Sequence, residues 1–284
     1  MSTLNINGKT SFLVILGDPV AHSLSPAMQN AALQHLRLNA VYLPCRVNST
    51  ELTQAVSGLR ALNFIGANVT IPHKQAVVAL VDELLGDASQ SGSVNTLIHR
   101  GGKLYGASTD GIGLISSLRE AGEFEPRGKK VLIFGAGGTA VAAGYALVAS
   151  QISSLTIVNR NLQKAEFLQN KLFQATGFKA EVVQLTELET IVWSEIDLIL
   201  NSTSVGLESE ISILPVQYLQ SHHFVYDLVY RTNGTKLCRE AEAAGCRVLS
   251  GLSLLLYQGV ESFRLWFEQD PPIKIMKQVL LEKV

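Results

Sequence analysis

The stretch "VLIFGAGGTAVAAGYAL", residues 131–147, decides the fold. Val131–Phe134 is an apolar, β-favouring run, and Gly135-x-Gly137-x-x-Ala140 follows it directly. Small apolar residues then continue without a breaker, as a buried helix requires. Strand, glycine turn and helix in that order form the fingerprint of a dinucleotide-binding β-α-β unit. The first glycine allows the tight turn, the second lets a pyrophosphate approach the backbone, and the small third residue lets helix and strand pack closely. Free N–H groups and the positive dipole end of the helix would face the phosphates. Taken alone the glycine pattern is weak, and a turn without a ligand is the alternative reading.

The next strand carries the cofactor choice. It ends in "TIVNRNLQK", with Asn159-Arg160 at its close and Lys164 one turn later. A site for NAD usually places a carboxylate here for the ribose 2′-hydroxyl. No carboxylate is present, and the planar guanidinium of Arg160 suits a 2′-phosphate. The pattern therefore favours NADP(H). The bland alternative is that Arg160 and Lys164 are a solvated helix start, although cations are mildly unfavourable there.

Outward from this motif, strand-like and helix-like segments alternate over the whole chain, which predicts an α/β layered architecture. Before the glycine loop, strands are expected at Phe12–Gly17, Val41–Val47, Phe64–Ile71, Val94–His99 and Lys103–Ala107. Helices are expected at 27–38, after the Asn48/Glu51 capping box to Leu62, and over Lys74–Leu84. A further helix should begin after Thr109 and run to Ala121. The charged stretch 123–130 reads as a linker, and the second series of strands continues to Arg247–Leu249. Leu252 to Val284 reads as two helices broken at Asp270-Pro271-Pro272. A length of 284 residues fits two domains of ordinary size better than one.

Composition removes several classes. The 284 residues are 47% hydrophobic and 17% charged, with a formal net charge of -1. That suits folded domains and lacks the basic excess of a nucleic-acid binder. The longest apolar runs, such as Ser253–Tyr257, fall far short of the roughly 20 residues of a membrane span. The polar start, Met1–Thr10, has no apolar signal-peptide core. Three cysteines, Cys45, Cys238 and Cys246, form no C-x-x-C pair and read as buried small hydrophobes. The expected setting is cytoplasmic, with no nucleic-acid or membrane partner, as a monomer or homodimer.

The first half concentrates polar residues at strand ends. "GDPVAHSLSP" supplies His22, Ser23 and Ser25, and "NVTIPHK" supplies Asn68, Thr70 and Lys74. "GSVNTL" supplies Asn95 and Thr96, and "GASTDGIG" supplies Thr109 and Asp110. Hydroxyls, amides, one lysine and one carboxylate suit a small polyhydroxylated carboxylate better than an apolar ligand. Adjacent His22 and Ser23 do not make a nucleophile and base, and no G-x-S-x-G elbow exists. His22, His73 and Asp110 lack metal-ligand spacing, so no metal is expected. His222-His223 reads as an exposed loop. Lys74 could also be a solvated first-turn residue, and Asp110 could cap its helix.

Together the stretches "GDPVAHSLSPAMQN", "GANVTIPHK", "GSVNTL", "STDGIG", "GAGGTA", "NSTSVG", "DLVY" and "GLSLLLYQG" resemble the shikimate dehydrogenase family, in that family's order and over residues 17–259. The resemblance implies a two-domain α/β fold, with residues 1–109 as a substrate-binding domain completed by returning helices in 252–284, and 110–251 as a Rossmann-like NADP-binding domain. It also implies reversible NADPH-dependent reduction of 3-dehydroshikimate to shikimate on the route to chorismate and aromatic amino acids. It implies that Lys74 and Asp110 are the catalytic pair. Ser23, Ser25 and Tyr230 would bind the substrate carboxylate. Thr70, Lys74, Asn95, Asp110 and Gln258 would contact the ring hydroxyls. Gly135, Gly137, Gly138, Thr139 and Ala140 would hold pyrophosphate, with Asn159, Arg160 and Lys164 at the adenosine phosphate. Asn201, Thr203, Val205, Leu228 and Gly251 would line the adenosine and nicotinamide sides.

Three positions depart from the family pattern. Ser108 stands where asparagine is usual, Thr232 where proline is common, and Leu254 where methionine is frequent. None removes a proposed catalytic group. They leave a quinate/shikimate enzyme of relaxed specificity as an alternative, although Ser23 and Ser25 together lean toward shikimate. A non-catalytic sensor of the same fold is the alternative from another class, and intact Lys74 and Asp110 argue against it.

Overall fold

A computed structural model describes residues 6–283. The first five residues, where the polar start begins, and Val284 lie outside the described residues. The chain divides into two compact units. The first runs to Thr109 and takes in Gln258–Lys283, and the second is Asp110–Tyr257.

The first unit is built on β1 (Ser11–Gly17), α1 (Ser25–His35), β2 (Ala40–Arg46), α2 (Leu52–Ala61), β3 (Gly66–Val69), β4 (Glu83–Leu85), α3 (Ala88–Ser91), β5 (Thr96–Arg100) and β6 (Lys103–Ala107). Its sheet order is β2-β1-β3-β5-β6-β4. β1 pairs parallel with both β2 and β3, while β5 pairs antiparallel with β3 and β6. Leu13–Leu16 is buried without interruption, as a strand covered on both faces demands. Gly101 and Gly102 both take positive φ, which closes the β5–β6 hairpin.

Two local expectations change here. Lys74–Leu84 is not one helix: a 3-10 turn, Ala76–Leu80, gives way to β4. Val81 is extended, the Asp82 N–H donates to the Leu104 carbonyl at 2.8 Å, and β4 pairs parallel with β6. Sheet pairing therefore overrides the helix pattern. The Asn48/Glu51 pair caps a turn rather than the helix itself. Asn48 Oδ1 accepts the N–H groups of Thr50 and Glu51, and α2 starts one residue later.

The second unit contains α4 (Asp110–Ser116), β7 (Lys130–Phe134), α5 (Gly138–Ala149), β8 (Ser154–Asn159), α6 (Leu162–Thr176), β9 (Glu181–Gln184), β10 (Leu198–Asn201), β11 (Phe224–Asp227), α7 (Lys236–Ala243) and β12 (Arg247–Ser250). A π-helical turn, Ser117–Ala121, extends α4. The six strands pair parallel in the order β12-β11-β10-β7-β8-β9. Counted within the unit, this is the doubly wound order in which the strand direction of travel reverses beside the first strand. β7 is that strand, and it is almost wholly buried. Between β9 and β10 only two 3-10 turns occur, Leu188–Thr190 and Trp193–Glu195.

The charged stretch 123–130 belongs to this unit and links nothing between units. Arg119 pairs with Glu125 at 2.9 Å, and Phe124 is buried against Phe224 with ring centroids 4.8 Å apart. His223 also corrects its expectation. It is 1% exposed, whereas His222 is exposed. The chain returns to the first unit through α8 (Gly251–Phe267), followed by α9 (Ile273–Leu281) beyond the Pro271-Pro272 break. Gln258, rather than residue 252, begins the returning segment.

Candidate active site

In the first unit, candidate residues gather where β1, β3 and β5 meet loops. β3 ends at Val69, and Thr70 donates its N–H to the Leu16 carbonyl at 2.9 Å. Gly17 lies so close to the Thr70 methyl that a Cβ on it would collide. Lys74 is half-buried, and its carbonyl accepts the Val94 N–H at 2.8 Å. That bond ties the lysine's backbone to the segment carrying Asn95. Ser23 and Ser25 flank the start of α1, where the Ser25 N–H donates to Ser23 Oγ at 3.3 Å. His22 is exposed beside them.

Asn95 is the centre of a buried polar network. Its Oδ1 accepts the Thr109 N–H at 2.8 Å and the Thr96 hydroxyl at 3.1 Å. Its Nδ2 donates to Thr109 Oγ1 at 2.9 Å and to Gln258 Oε1 at 3.4 Å. Asn68 continues the network, donating to Ser262 Oγ at 2.9 Å and accepting the Tyr42 hydroxyl at 2.7 Å. Burial pushes the Tyr42 phenol well above its ordinary value, so it stays a neutral donor. A satisfied network of this kind fixes amide orientation. Asn68, Asn95, Thr96, Thr109 and Gln258 stood out in the sequence as candidates. Tyr42 and Ser262 did not, since no local motif marks them as partners of Asn68.

In the second unit, the glycine loop closes β7. Gly135 takes φ 111°, and a Cβ there would meet Ser202 Oγ at 2.6 Å. Gly137 has ordinary φ and is exposed, with nothing within 4 Å of a built Cβ. Gly138 and Thr139 open α5, and Ala140 is fully buried. This is the cradle a pyrophosphate needs: a forced turn, an open backbone approach and a close helix contact. Asn159 and Arg160 follow β8, and Asn159 Nδ2 donates to the Asn161 carbonyl at 2.8 Å. Asn161 caps α6 by accepting the Lys164 N–H. Arg160 and Lys164 are exposed, and among the described residues neither has an ion-pair partner. Two unneutralised cations at a helix start fit a phosphate-bearing ligand.

The carboxyl ends of β10 and β11 hold the remaining candidates. Asn201 Oδ1 accepts the Thr203 N–H at 3.0 Å and its hydroxyl at 2.7 Å, and Nδ2 donates to the Val205 carbonyl at 3.3 Å. Opposite it, Asp227 accepts from Asn201 Nδ2 at 2.8 Å. Asp227 also accepts the Val229 N–H at 3.1 Å and the Thr235 hydroxyl at 2.6 Å. Burial pushes its carboxyl up, opposed by those three bonds. Sequence reasoning assigned Asp227 and Thr235 no role. Leu228 and Gly251 touch through backbone: a Cβ on Gly251 would overlap the Leu228 carbonyl. Tyr230 is half-buried three residues past Asp227, and Asp110 is buried in the first turn of α4.

Among the described residues no three His, Cys, Asp or Glu side chains come together as a metal site. No described helix is long and apolar enough to cross a membrane. All three cysteines are free, and burial pushes each thiol above its ordinary value.

A parallel sheet in doubly wound order, with this glycine loop at its reversal point, defines an α/β protein of the dinucleotide-binding class. Three family models match in chain order: the shikimate dehydrogenase substrate binding domain at residues 15–97, shikimate / quinate 5-dehydrogenase at 119–213, and the shikimate 5'-dehydrogenase C-terminal domain at 251–281. The chain belongs to the shikimate dehydrogenase family. It is 41% identical over 288 residues to shikimate dehydrogenase (NADP(+)) of Desulforamulus reducens, covering 100% of this chain and 99% of the relative. Among solved structures, a shikimate dehydrogenase in complex with NADP+ superposes with TM-score 0.92 at 34% identity, covering 98% of this chain and 97% of its own. The Thermus thermophilus shikimate 5-dehydrogenase in complex with NADP(H) and shikimate gives TM-score 0.87 at 34% identity, covering 97% and 100%.

Proposed function

We propose that this chain is an NADP-dependent shikimate dehydrogenase that reversibly reduces 3-dehydroshikimate to shikimate. One observation carries the cofactor half of this reading. The open Gly137 approach is followed by exposed Arg160 and Lys164, with no carboxylate at the end of β8. Family membership carries the substrate half. A bound NADP(H) supplies hydride transfer.

The chain's residues then have distinct tasks. Oxidising the alcohol releases a proton along with the hydride, and reduction requires that proton back. Lys74 is the group that holds it, because a cation opposite the carbonyl oxygen also stabilises charge developing there. Asp110, buried at the start of α4, is its catalytic partner. Asn95 and Gln258 present amide groups whose orientation the buried network fixes, which suits ring hydroxyls. Thr70 adds a hydroxyl beside the lysine turn. Ser23, Ser25 and Tyr230 supply hydroxyls for the carboxylate. Gly135, Gly137, Gly138, Thr139 and Ala140 receive pyrophosphate, and Asn159, Arg160 and Lys164 the adenosine phosphate. Asn201, Thr203, Val205, Leu228 and Gly251 line the rest of the nucleotide site. Residues up to 109, with the returning helices, form the substrate domain, and the rest the NADP domain. A cytoplasmic setting, as a monomer or homodimer, completes the proposal; the free cysteines are compatible with a reducing compartment.

The test is an NADP(H)-linked assay offering shikimate and quinate separately. Efficient NADP-dependent oxidation of shikimate, with quinate at least tenfold poorer, supports the proposal. Equal efficiency with quinate moves the chain to the relaxed-specificity branch. Shikimate binding without turnover makes it a sensor.

A further inference from the structure

We propose that Asp227 is a positioning residue for the nucleotide site, acting through Asn201 to hold the loops that follow β10 and β11 in one arrangement. The inference deepens the NADP reading above and rests on it.

The two residues face each other in register across adjacent parallel strands. Both side chains are fully buried. Apart from the bond between them, their side-chain bonds lead to the loops and the helix start that follow the carboxyl edge of the sheet, where ligands of such folds bind. One Asp227 oxygen accepts from both Asn201 and the Val229 N–H. The other accepts from Thr235, whose hydroxyl in turn caps α7 by accepting the Cys238 N–H at 3.2 Å. Asn201 uses its oxygen on Thr203 and shares its amide between Asp227 and the Val205 carbonyl. One carboxylate thus ties together loop 202–206, loop 228–230 and the start of α7. The loops bear Thr203, Val205, Leu228 and Tyr230, all assigned above to ligand contacts.

The bonding pattern argues against simple packing. All partners of Asp227 are neutral, so no ion pair explains keeping an acid in the core. An acceptor with two oxygens is needed, because three donors converge on it. An apolar side chain would leave those donors buried and unpaired, and they would reorient at the loops. Asparagine offers one acceptor fewer, and its amide would confront a donor.

The test measures equilibrium NADP+ binding to the full-length protein by calorimetry, beside steady-state rates, for wild type, Asp227→Ala, Asn201→Ala and the double variant. Asp227→Ala should raise the NADP+ Kd about tenfold while kcat at saturating NADP+ stays within about threefold. A purely structural role would instead lower the active fraction and kcat at unchanged Kd. Asn201→Ala should also raise Kd. The double variant should lose no more than the worse single, because the pair acts as a unit. Should Asp227→Ala fail to fold, Asn201→Ala breaks the same pair from the opposite strand, and an unchanged Kd there overturns the proposal. An unchanged Kd in folded Asp227→Ala, or losses that multiply in the double variant, also overturn it. Wild type that binds NADP+ but leaves shikimate unoxidised sinks the substrate reading alone, since the binding arm still reports on Asp227.

Discussion

His73 Nε2 meets the backbone carbonyl of Val47 at 2.7 Å, with the histidine only 1% exposed. A carbonyl only accepts, so this ring nitrogen carries the proton. The bond fastens the turn before Lys74 to the segment just past β2, while Lys74's own carbonyl holds Val94. The histidine that precedes the lysine therefore anchors its turn. Replacing it with alanine removes a buried hydrogen bond and leaves a cavity. His73→Ala should lower unfolding free energy by about 2–4 kcal/mol in urea denaturation. Wild-type stability in that variant would remove the anchoring role.

Lys74 itself should matter for rate more than for stability. Its side chain is half-buried and its turn is held by backbone bonds. Lys74→Ala should cut kcat by about 10²-fold or more, with shikimate binding changed much less. Steady-state kinetics on the purified variant decide this, and an unaltered kcat ends the catalytic assignment.

Arg160 is exposed and has no ion-pair partner among the described residues, so removing it should leave the fold intact. Arg160→Ala should raise KM for NADP+ about tenfold or more, by loss of a charge-assisted phosphate contact. KM for NAD+ should hardly change. Parallel losses for both cofactors would mean that Arg160 does not read the 2′-phosphate.

The second unit was the more legible in the sequence, for a physical reason. Its inner strands β7, β8, β10 and β11 are short, largely buried apolar runs, and the Gly135-x-Gly137 turn admits few alternatives to β7–turn–α5. The first unit was read less well where sheet pairing outweighed local pattern. Val77, Val78 and Val81 have helical spacing, yet β4 forms because β6 offers an edge. Nothing local to His223 reveals that the Trp193 carbonyl accepts from its ring. Asp227 is equally silent in the sequence. Its partners Asn201 and Thr235 come from another strand and from the cap of α7.

His223 should give stability a pH dependence. Its Nδ1 accepts the Gln220 N–H at 3.1 Å and its Nε2 donates to the Trp193 carbonyl at 2.8 Å. Burial pushes its pKa below the ordinary histidine value of 6.5, and His222 beside it adds to the effect. The unfolded chain then takes up a proton before the folded one does. The contribution is fully present above about pH 6.5 and is lost as pH falls toward the folded pKa. Urea unfolding between pH 7.5 and 5.5, values chosen as roughly one unit either side of that point, should show declining stability in wild type. His223→Gln should flatten the decline over that window, whatever its own stability. An equal slope in both proteins would assign the effect elsewhere.

Two glycines of the second unit separate folding from cofactor binding. At Gly251 an added Cβ would overlap the Leu228 carbonyl, a backbone atom that cannot move without shifting the loop after β11. At Gly137 an added Cβ meets nothing within 4 Å, and φ is -85°, which alanine adopts freely. Gly251→Ala should therefore destabilise the protein by about 2 kcal/mol or more, as overpacking against backbone does. Gly137→Ala should leave the melting temperature within about 2 °C of wild type, since no strain or clash is introduced. The open space at Gly137 is where the pyrophosphate would approach, so the same methyl should weaken NADP+ binding about tenfold or more. Thermal melts and NADP+ titrations of the two variants check both halves. If Gly137→Ala binds NADP+ as wild type does, the nucleotide does not approach the chain at that glycine. If Gly251→Ala melts as wild type does, close packing of Gly251 on Leu228 does not contribute to stability.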